Sequence, residues 1–134
     1  MGPSLDRLLS PTTTYLEWPS CPVLAASSRA IWSARVGRLA ARTLLLAHAA
    51  GVVVRDVKPH NFSVGLDASD AARPDKVYLL DAAMCMSLAD AATAAFSGTP
   101  DYASRATLSN PRHRYGPADD LESLAFVVTE LQAR

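Results

Sequence analysis

Arg55-Asp56-Val57-Lys58-Pro59-His60-Asn61 is the stretch on which the reading of this chain turns. It places a carboxylate, a lysine two residues on and an asparagine five residues on within a few residues of irregular backbone. Each type has its own chemistry. A carboxylate can accept the proton of a hydroxyl, a lysine can hold an anionic group through its fixed charge, and an amide oxygen can ligate magnesium. A surface turn of mixed charge, stiffened by Pro59, is the plain alternative for the same seven residues.

Four further stretches stand in order around this one. Lys76-Val77-Tyr78-Leu79-Leu80-Asp81 is an apolar run ending in Asp, 20 residues after Asn61. Gly98-Thr99-Pro100-Asp101-Tyr102-Ala103-Ser104 and Asp119-Asp120-Leu121-Glu122-Ser123-Leu124 follow, and Gly2-Pro3-Ser4-Leu5-Asp6 precedes. Together with Asn61-Phe62, these resemble, in order, motifs of the casein kinase I and tau-tubulin kinase group of protein kinases: the catalytic loop, the strand that delivers the Asp of D-F-G, the G-T-x-x-Y-A-S substrate loop, the D-D-L-E-S-L opening of the central helix, and the G-P-S-L-E stretch after the hinge.

The resemblance implies an α+β, protein-kinase-like fold: a mostly helical C-terminal lobe with a small β-hairpin. It implies serine/threonine phosphorylation of protein hydroxyls from Mg-ATP. By position, Asp56 corresponds to the catalytic base, Lys58 to the residue that neutralises the transferred group, and Thr99 to the threonine that bonds both and helps select a hydroxyl substrate. Asn61 and Asp81 correspond to the Mg2+ ligands, and Ser4 and Asp6 lie where the family contacts the ribose of ATP. Asp120 corresponds to a buried helix-start aspartate that accepts hydrogen bonds from the catalytic-loop backbone, a structural role. Turn or capping roles are the alternatives for Asp56, Asp81 and Thr99, and an exposed surface lysine for Lys58.

The sequence departs from the family pattern at three places. Ala82-Ala83 stand where the family has Phe-Gly, which removes an interlobe packing residue and a freely turning glycine after Asp81. Val54 replaces the histidine of H-R-D and cannot make its hydrogen bond. Arg55, which in the family meets an activation-segment phosphate or is otherwise paired, is kept. Asp101 stands where members of that kinase group carry an arginine of a basic pocket, so the preference for acidic substrates that the resemblance would imply does not carry over.

The chain has 134 residues, enough for one ordinary domain, whereas a complete kinase domain is roughly twice as long. The order of motifs places residues 1–134 between the hinge and the central helix, as a single partial domain truncated at both ends. No G-x-G-x-x-G occurs, and the four basic residues before position 40 (Arg7, Arg29, Arg35, Arg38) sit in no strand-like run. Little or no activity is therefore expected of this chain alone. A scaffold or pseudokinase that binds a protein partner, and a non-functional partial gene product, are the alternatives.

Lys plus Arg and Asp plus Glu number 13 each, which gives no electrostatic argument for nucleic acid or membrane. Cys21 and Cys85 are too few and too far apart for a zinc site or a disulfide framework. A reducing, intracellular setting, cytoplasmic or nuclear, is the default; no signal peptide is evident, and the apolar run Leu44 to Val54 is too short to span a bilayer.

Composition and spacing predict a short helix from Ser4 to about Leu9, a proline-rich loop over Ser10 to Pro22, and a long helix from Ser27 or Ser28 to Ala50 that Gly51 ends. Ile31, Val36, Leu39, Leu44 and Leu46 are assigned to its apolar face. Phe62-Ser63-Val64 and Lys76 to Leu80 read as a hairpin whose connection, Leu66 to Asp75, is long. Residues 82–117 read as mostly irregular, with a short helix near Leu88 to Ala95. Pro117 starts the last helix, with Asp119 and Asp120 near its positive end. Leu121, Leu124, Phe126, Val127, Val128 and Leu131 make that helix apolar on several sides, so an exposed face covered by a protein partner is expected. His48, His60 and His113 read as surface or helix-end residues, and Trp18 and Trp32 as packing residues.

Overall fold

A computed structural model of the chain describes residues 26–66 and 74–133. The expected helix at Ser4 to Leu9, the proline-rich loop, the ribose positions Ser4 and Asp6, Trp18, Cys21 and most of the hairpin connection lie outside the described residues.

The fold is α+β. Helix α1 (Ala26–Ala49) leads through Gly51 into strand β1 (Val52–Val53), and a 3-10 turn (Pro59–Asn61) precedes the hairpin strands β2 (Phe62–Leu66) and β3 (Pro74–Leu79). Strand β4 (Met86–Ser87) runs directly into helix α2 (Leu88–Ala91). A second 3-10 turn (Pro100–Tyr102), helix α3 (Arg105–Ser109) and helix α4 (Pro117–Ala133) complete the order.

Helix α1 stops at a glycine for a physical reason. Gly51 has φ +78°, a left-handed conformation that costs a residue with a Cβ, and its N–H donates to His48 O at 2.9 Å. Along α1 the buried residues are Ser33, Val36, Gly37, Ala40 and Leu44, spaced by three and four. Ile31 and Leu46 do not belong to this face and are 71% and 66% exposed. At about 100° per residue, Leu46 lies on nearly the opposite side from Leu44, so its hydrophobicity misleads where its phase does not. Trp32 and Leu39 flank the stripe, half-buried against the core.

The hairpin is antiparallel, with Phe62 opposite Leu79, Ser63 opposite Tyr78 and Val64 opposite Val77, and a bulge between Gly65 and Leu66. Phe62, Val64 and Val77 turn inward, while Tyr78 is exposed, as the twofold alternation of a strand requires. Thr43 ties α1 to the hairpin by donating its hydroxyl to Val77 O at 2.9 Å. Val36, Ala40 and Leu44 of α1, Val54, Val57, Phe62, Val64 and Val77, and Leu124, Val127 and Leu131 of α4 form the main core. Helices α1 and α4 approach closely at Gly37, where a Cβ would stand 2.7 Å from a Val128 methyl.

The segment 82–117 holds more structure than its sequence suggests. β4 pairs antiparallel with β1, with Val52 opposite Ser87 and Val53 opposite Met86. Ser87 then caps α2, its Oγ accepting from the Asp90 amide at 3.1 Å. Val53, Ala91 and Tyr115 make a second small core with Met86 and Phe96 beside it. Helix α4 also departs from expectation. Its Leu124, Val127 and Leu131 are buried and Phe126 and Val128 half-buried, which leaves Leu121, at 38%, as its one large hydrophobic among the exposed described residues. The wider exposed apolar surface lies on α1 and the hairpin instead.

Candidate functional site

The loop between β1 and the first 3-10 turn is held from below by one carboxylate. Asp120, in the first turn of α4 and fully buried, accepts from the Val54 amide (Oδ2, 2.8 Å), the Arg55 amide (Oδ1, 2.8 Å), the Tyr115 hydroxyl (Oδ1, 2.8 Å) and His48 Nε2 (Oδ2, 2.8 Å). A carboxylate without a proton only accepts, so in this pair His48 Nε2 carries the hydrogen. Burial, followed by the Asp120 charge, pushes the Tyr115 hydroxyl far above the ordinary tyrosine range, so it remains a donor. His48 is thus a helix-end residue, in the last turn of α1, but it is a buried partner of Asp120 rather than a surface group. Its role had no local signal, because Asp120 lies 72 residues away. His113 is likewise engaged, its Nε2 2.8 Å from Asp119 Oδ1, while His60 is exposed. Asp119 also accepts from Ser104 Oγ and from the Gly116 amide at 2.8 Å, and so fixes the approach to α4.

Arg55 takes a left-handed backbone, φ +68°, which is costly for a residue with a side chain. Its buried guanidinium donates to Met86 Sδ and Ala95 O and lies over the Tyr115 ring, 5.7 Å from the centroid. These bonds draw the 95–99 segment onto the loop. Gly98 makes the close pass possible, because a Cβ there would collide with Arg55 O and stand 2.9 Å from the Phe96 ring.

The pass delivers Thr99 to Asp56. Thr99 donates to Asp56 Oδ1 twice, from its amide at 3.0 Å and from its hydroxyl at 2.7 Å. Lys58 Nζ lies 2.7 Å from Asp56 Oδ2 and donates to Thr99 Oγ1 at 3.0 Å. Asn61 Nδ2 donates to Asp56 O at 2.8 Å and to Asp56 Oδ2 at 3.0 Å. Burial works to raise the Asp56 pKa, but the hydrogen bonds from Lys58, Thr99 and Asn61 outweigh it and hold the carboxyl below its ordinary value. The result is an ionised carboxylate, partly accessible, with a cation and a hydroxyl fixed beside it. Such a cluster can position a hydroxyl group, accept its proton and neutralise a neighbouring anion.

Of the sequence-derived site residues, Asp56, Lys58, Asn61 and Thr99 are therefore brought together. Asp81 stands apart. It is exposed, and its Oδ1 accepts from the Ala83 amide at 2.8 Å in a local turn. Among the described residues no hydrogen bond or ion pair joins it to Asn61, although the Leu80 amide donates to Asn61 O at 2.9 Å and ties the two chain segments together. Both Asn61 side-chain bonds run from Nδ2, which leaves Oδ1 as a ligand oxygen, and Asp81 keeps its second oxygen. Among the described residues no group of three or more His, Cys, Asp or Glu is placed to hold a metal. Asn61 Oδ1 and the second Asp81 oxygen are of the hard type that magnesium takes together with phosphate oxygens, but no contact among the described residues brings the two side chains together. Burial, followed by the Asp120 and Asp81 charges, raises the Cys85 thiol pKa and lowers its thiolate fraction. No helix among the described residues is long and apolar enough to cross a membrane.

In comparisons with known proteins the chain matches no protein-family model and no curated protein.

Proposed function

We propose that the Asp56–Lys58–Asn61–Thr99 cluster is a phosphoryl-transfer site of the protein-kinase type, within a kinase-like fold, acting on serine or threonine hydroxyls of proteins with Mg-ATP. The observation that carries this reading is the bridge made by Thr99. Its hydroxyl joins Asp56 to Lys58 across 43 and 41 residues of sequence, a convergence that a turn of mixed charge does not require.

In this reading Asp56 orients the substrate hydroxyl and accepts its proton. Its lowered pKa makes it a weak base, suited to taking the proton late, when the oxygen has already begun to bond to phosphorus. Lys58 supplies fixed positive charge beside the transferred group. Asn61 and Asp81 would supply oxygen ligands to Mg2+, which when bound offsets charge on the phosphates. Little covalent work falls to the protein, and positioning by the Thr99 bridge is the main contribution.

Since little or no transfer is expected of the chain alone, the test is transfer of labelled phosphate from Mg-ATP to a serine peptide by the chain joined to a smaller lobe that supplies a glycine-rich loop and its lysine. Transfer that disappears in Asp56→Asn, while the variant still unfolds cooperatively, is the expected result. Transfer at the same rate in Asp56→Asn would overturn the assignment. A second reading, a scaffold that keeps the cluster only for structure, is favoured by the exposed Asp81, bonded to Ala83 rather than to Asn61. Absence of both phosphate transfer and magnesium-dependent ATP binding would select it.

A further inference from the structure

We infer that the cluster prefers a hydroxyl flanked by basic residues, and that Asp101 sets this preference. The inference rests on the phosphoryl-transfer reading above and adds the class of peptide. Asp101 lies two residues beyond Thr99, in the 3-10 turn Pro100–Tyr102. That turn is pinned on both sides. Thr99 is bonded to Asp56 by amide and hydroxyl, and Tyr102 donates its hydroxyl to Glu130 at 2.7 Å on α4. The Tyr102 amide closes the turn onto Thr99 O at 3.2 Å, and Ala103, the next residue, is buried.

Asp101 itself is exposed, and its carboxylate has no ion pair or hydrogen bond among the described residues. Among the described residues, Lys58 is engaged by Asp56 and Thr99, and Arg105, four residues beyond Asp101, by Glu122 at 2.7 Å. A negative charge unpaired among the described residues therefore stands two residues from Thr99, in a turn fixed to the cluster. It attracts a lysine or arginine next to the acceptor residue and repels a glutamate or a phosphate there.

The experiment measures fluorescence anisotropy of two labelled serine peptides, equal in length, one with arginines flanking the serine and one with glutamates. They are titrated against the wild-type chain, Asp101→Asn and Asp101→Arg. The wild type is expected to bind the arginine peptide about two- to five-fold more tightly, the range of one exposed charge pair, with the ratio falling as salt is raised. Asp101→Asn is expected to abolish the ratio and Asp101→Arg to invert it. Equal affinities, a preference for glutamate, no binding of either peptide, or a ratio unchanged in Asp101→Asn would each overturn the inference. Phosphate transfer is measured in parallel on the same variants joined to a smaller lobe that supplies a glycine-rich loop and its lysine. Loss of transfer with the peptide ratio intact counts against the phosphoryl-transfer reading and not against the role of Asp101.

Discussion

Thr99 bonds one oxygen of Asp56 twice, through its amide at 3.0 Å and its hydroxyl at 2.7 Å, while the same hydroxyl accepts from Lys58. One side chain therefore fixes the geometry of an acid and a base that are already neighbours in sequence. Thr99→Val keeps the shape and removes both hydroxyl bonds. The Asp56 pKa is expected to rise toward the ordinary carboxylate value, and stability to fall by about 1 kcal/mol. Thr99→Ser is expected to restore both. Carbon-detected NMR titration of Asp56, with denaturant unfolding, reads the two effects.

Acid is expected to weaken the fold through Asp56 in a defined direction. Its folded pKa is lower than its unfolded value, so the folded state binds fewer protons. The stabilisation is complete above the unfolded carboxylate pKa, about 3.9, and is lost as pH falls through the folded value. Unfolding curves of wild type and Asp56→Asn across the acid range are expected to converge as the pH drops. Curves that stay parallel would contradict this assignment.

Asp120 is the larger structural liability. Asp120→Ala leaves two backbone amides, the Tyr115 hydroxyl and His48 Nε2 without their acceptor in a buried place. A loss of several kcal/mol is expected, since each buried donor left without its acceptor costs about 1–3 kcal/mol. His48→Leu removes one of four donors and is expected to cost about 1–2 kcal/mol. Chemical denaturation of the two variants and of the double variant, which couples them, distinguishes one shared network from two separate contacts.

Gly98→Ala tests the close pass beneath the site. The added methyl meets the Arg55 carbonyl and the Phe96 ring, and backbone on one side cannot yield cheaply. A destabilisation of about 1–3 kcal/mol is expected, with displacement of Thr99 seen as a changed Asp56 chemical shift. Gly51→Ala, at a positive φ with open space around it, is expected to cost stability without moving the Asp56 signal.

Much of this architecture is legible in the residues because local chemistry fixes it. The end of α1 follows from Gly51, the start of α4 from Pro117 followed by two acids, and the hairpin from alternation around Phe62 and Val64. Burial on α1 is less legible, since Ile31 and Leu46 are apolar yet point away from Val36, Ala40 and Leu44. The two-residue ladder of Val52–Val53 with Met86–Ser87 is too short to leave any periodic signal. At the site, Asp56, Lys58 and Asn61 declare themselves by spacing. His48 does not, because what makes it a partner of Asp120 is the fold itself.

The contacts that assemble the loop also impose an order of events. Val54 and Arg55 wait for a carboxylate more than sixty residues downstream, and Asp56 for a threonine 43 residues on. Closing such long loops is slow compared with forming α1 or the hairpin. On the ribosome the helix and hairpin can form early, yet the loop's amides stay hydrated until residue 120 emerges. The cluster around Asp56 is then among the last parts of the chain to form, so its NMR signature reports that folding is complete.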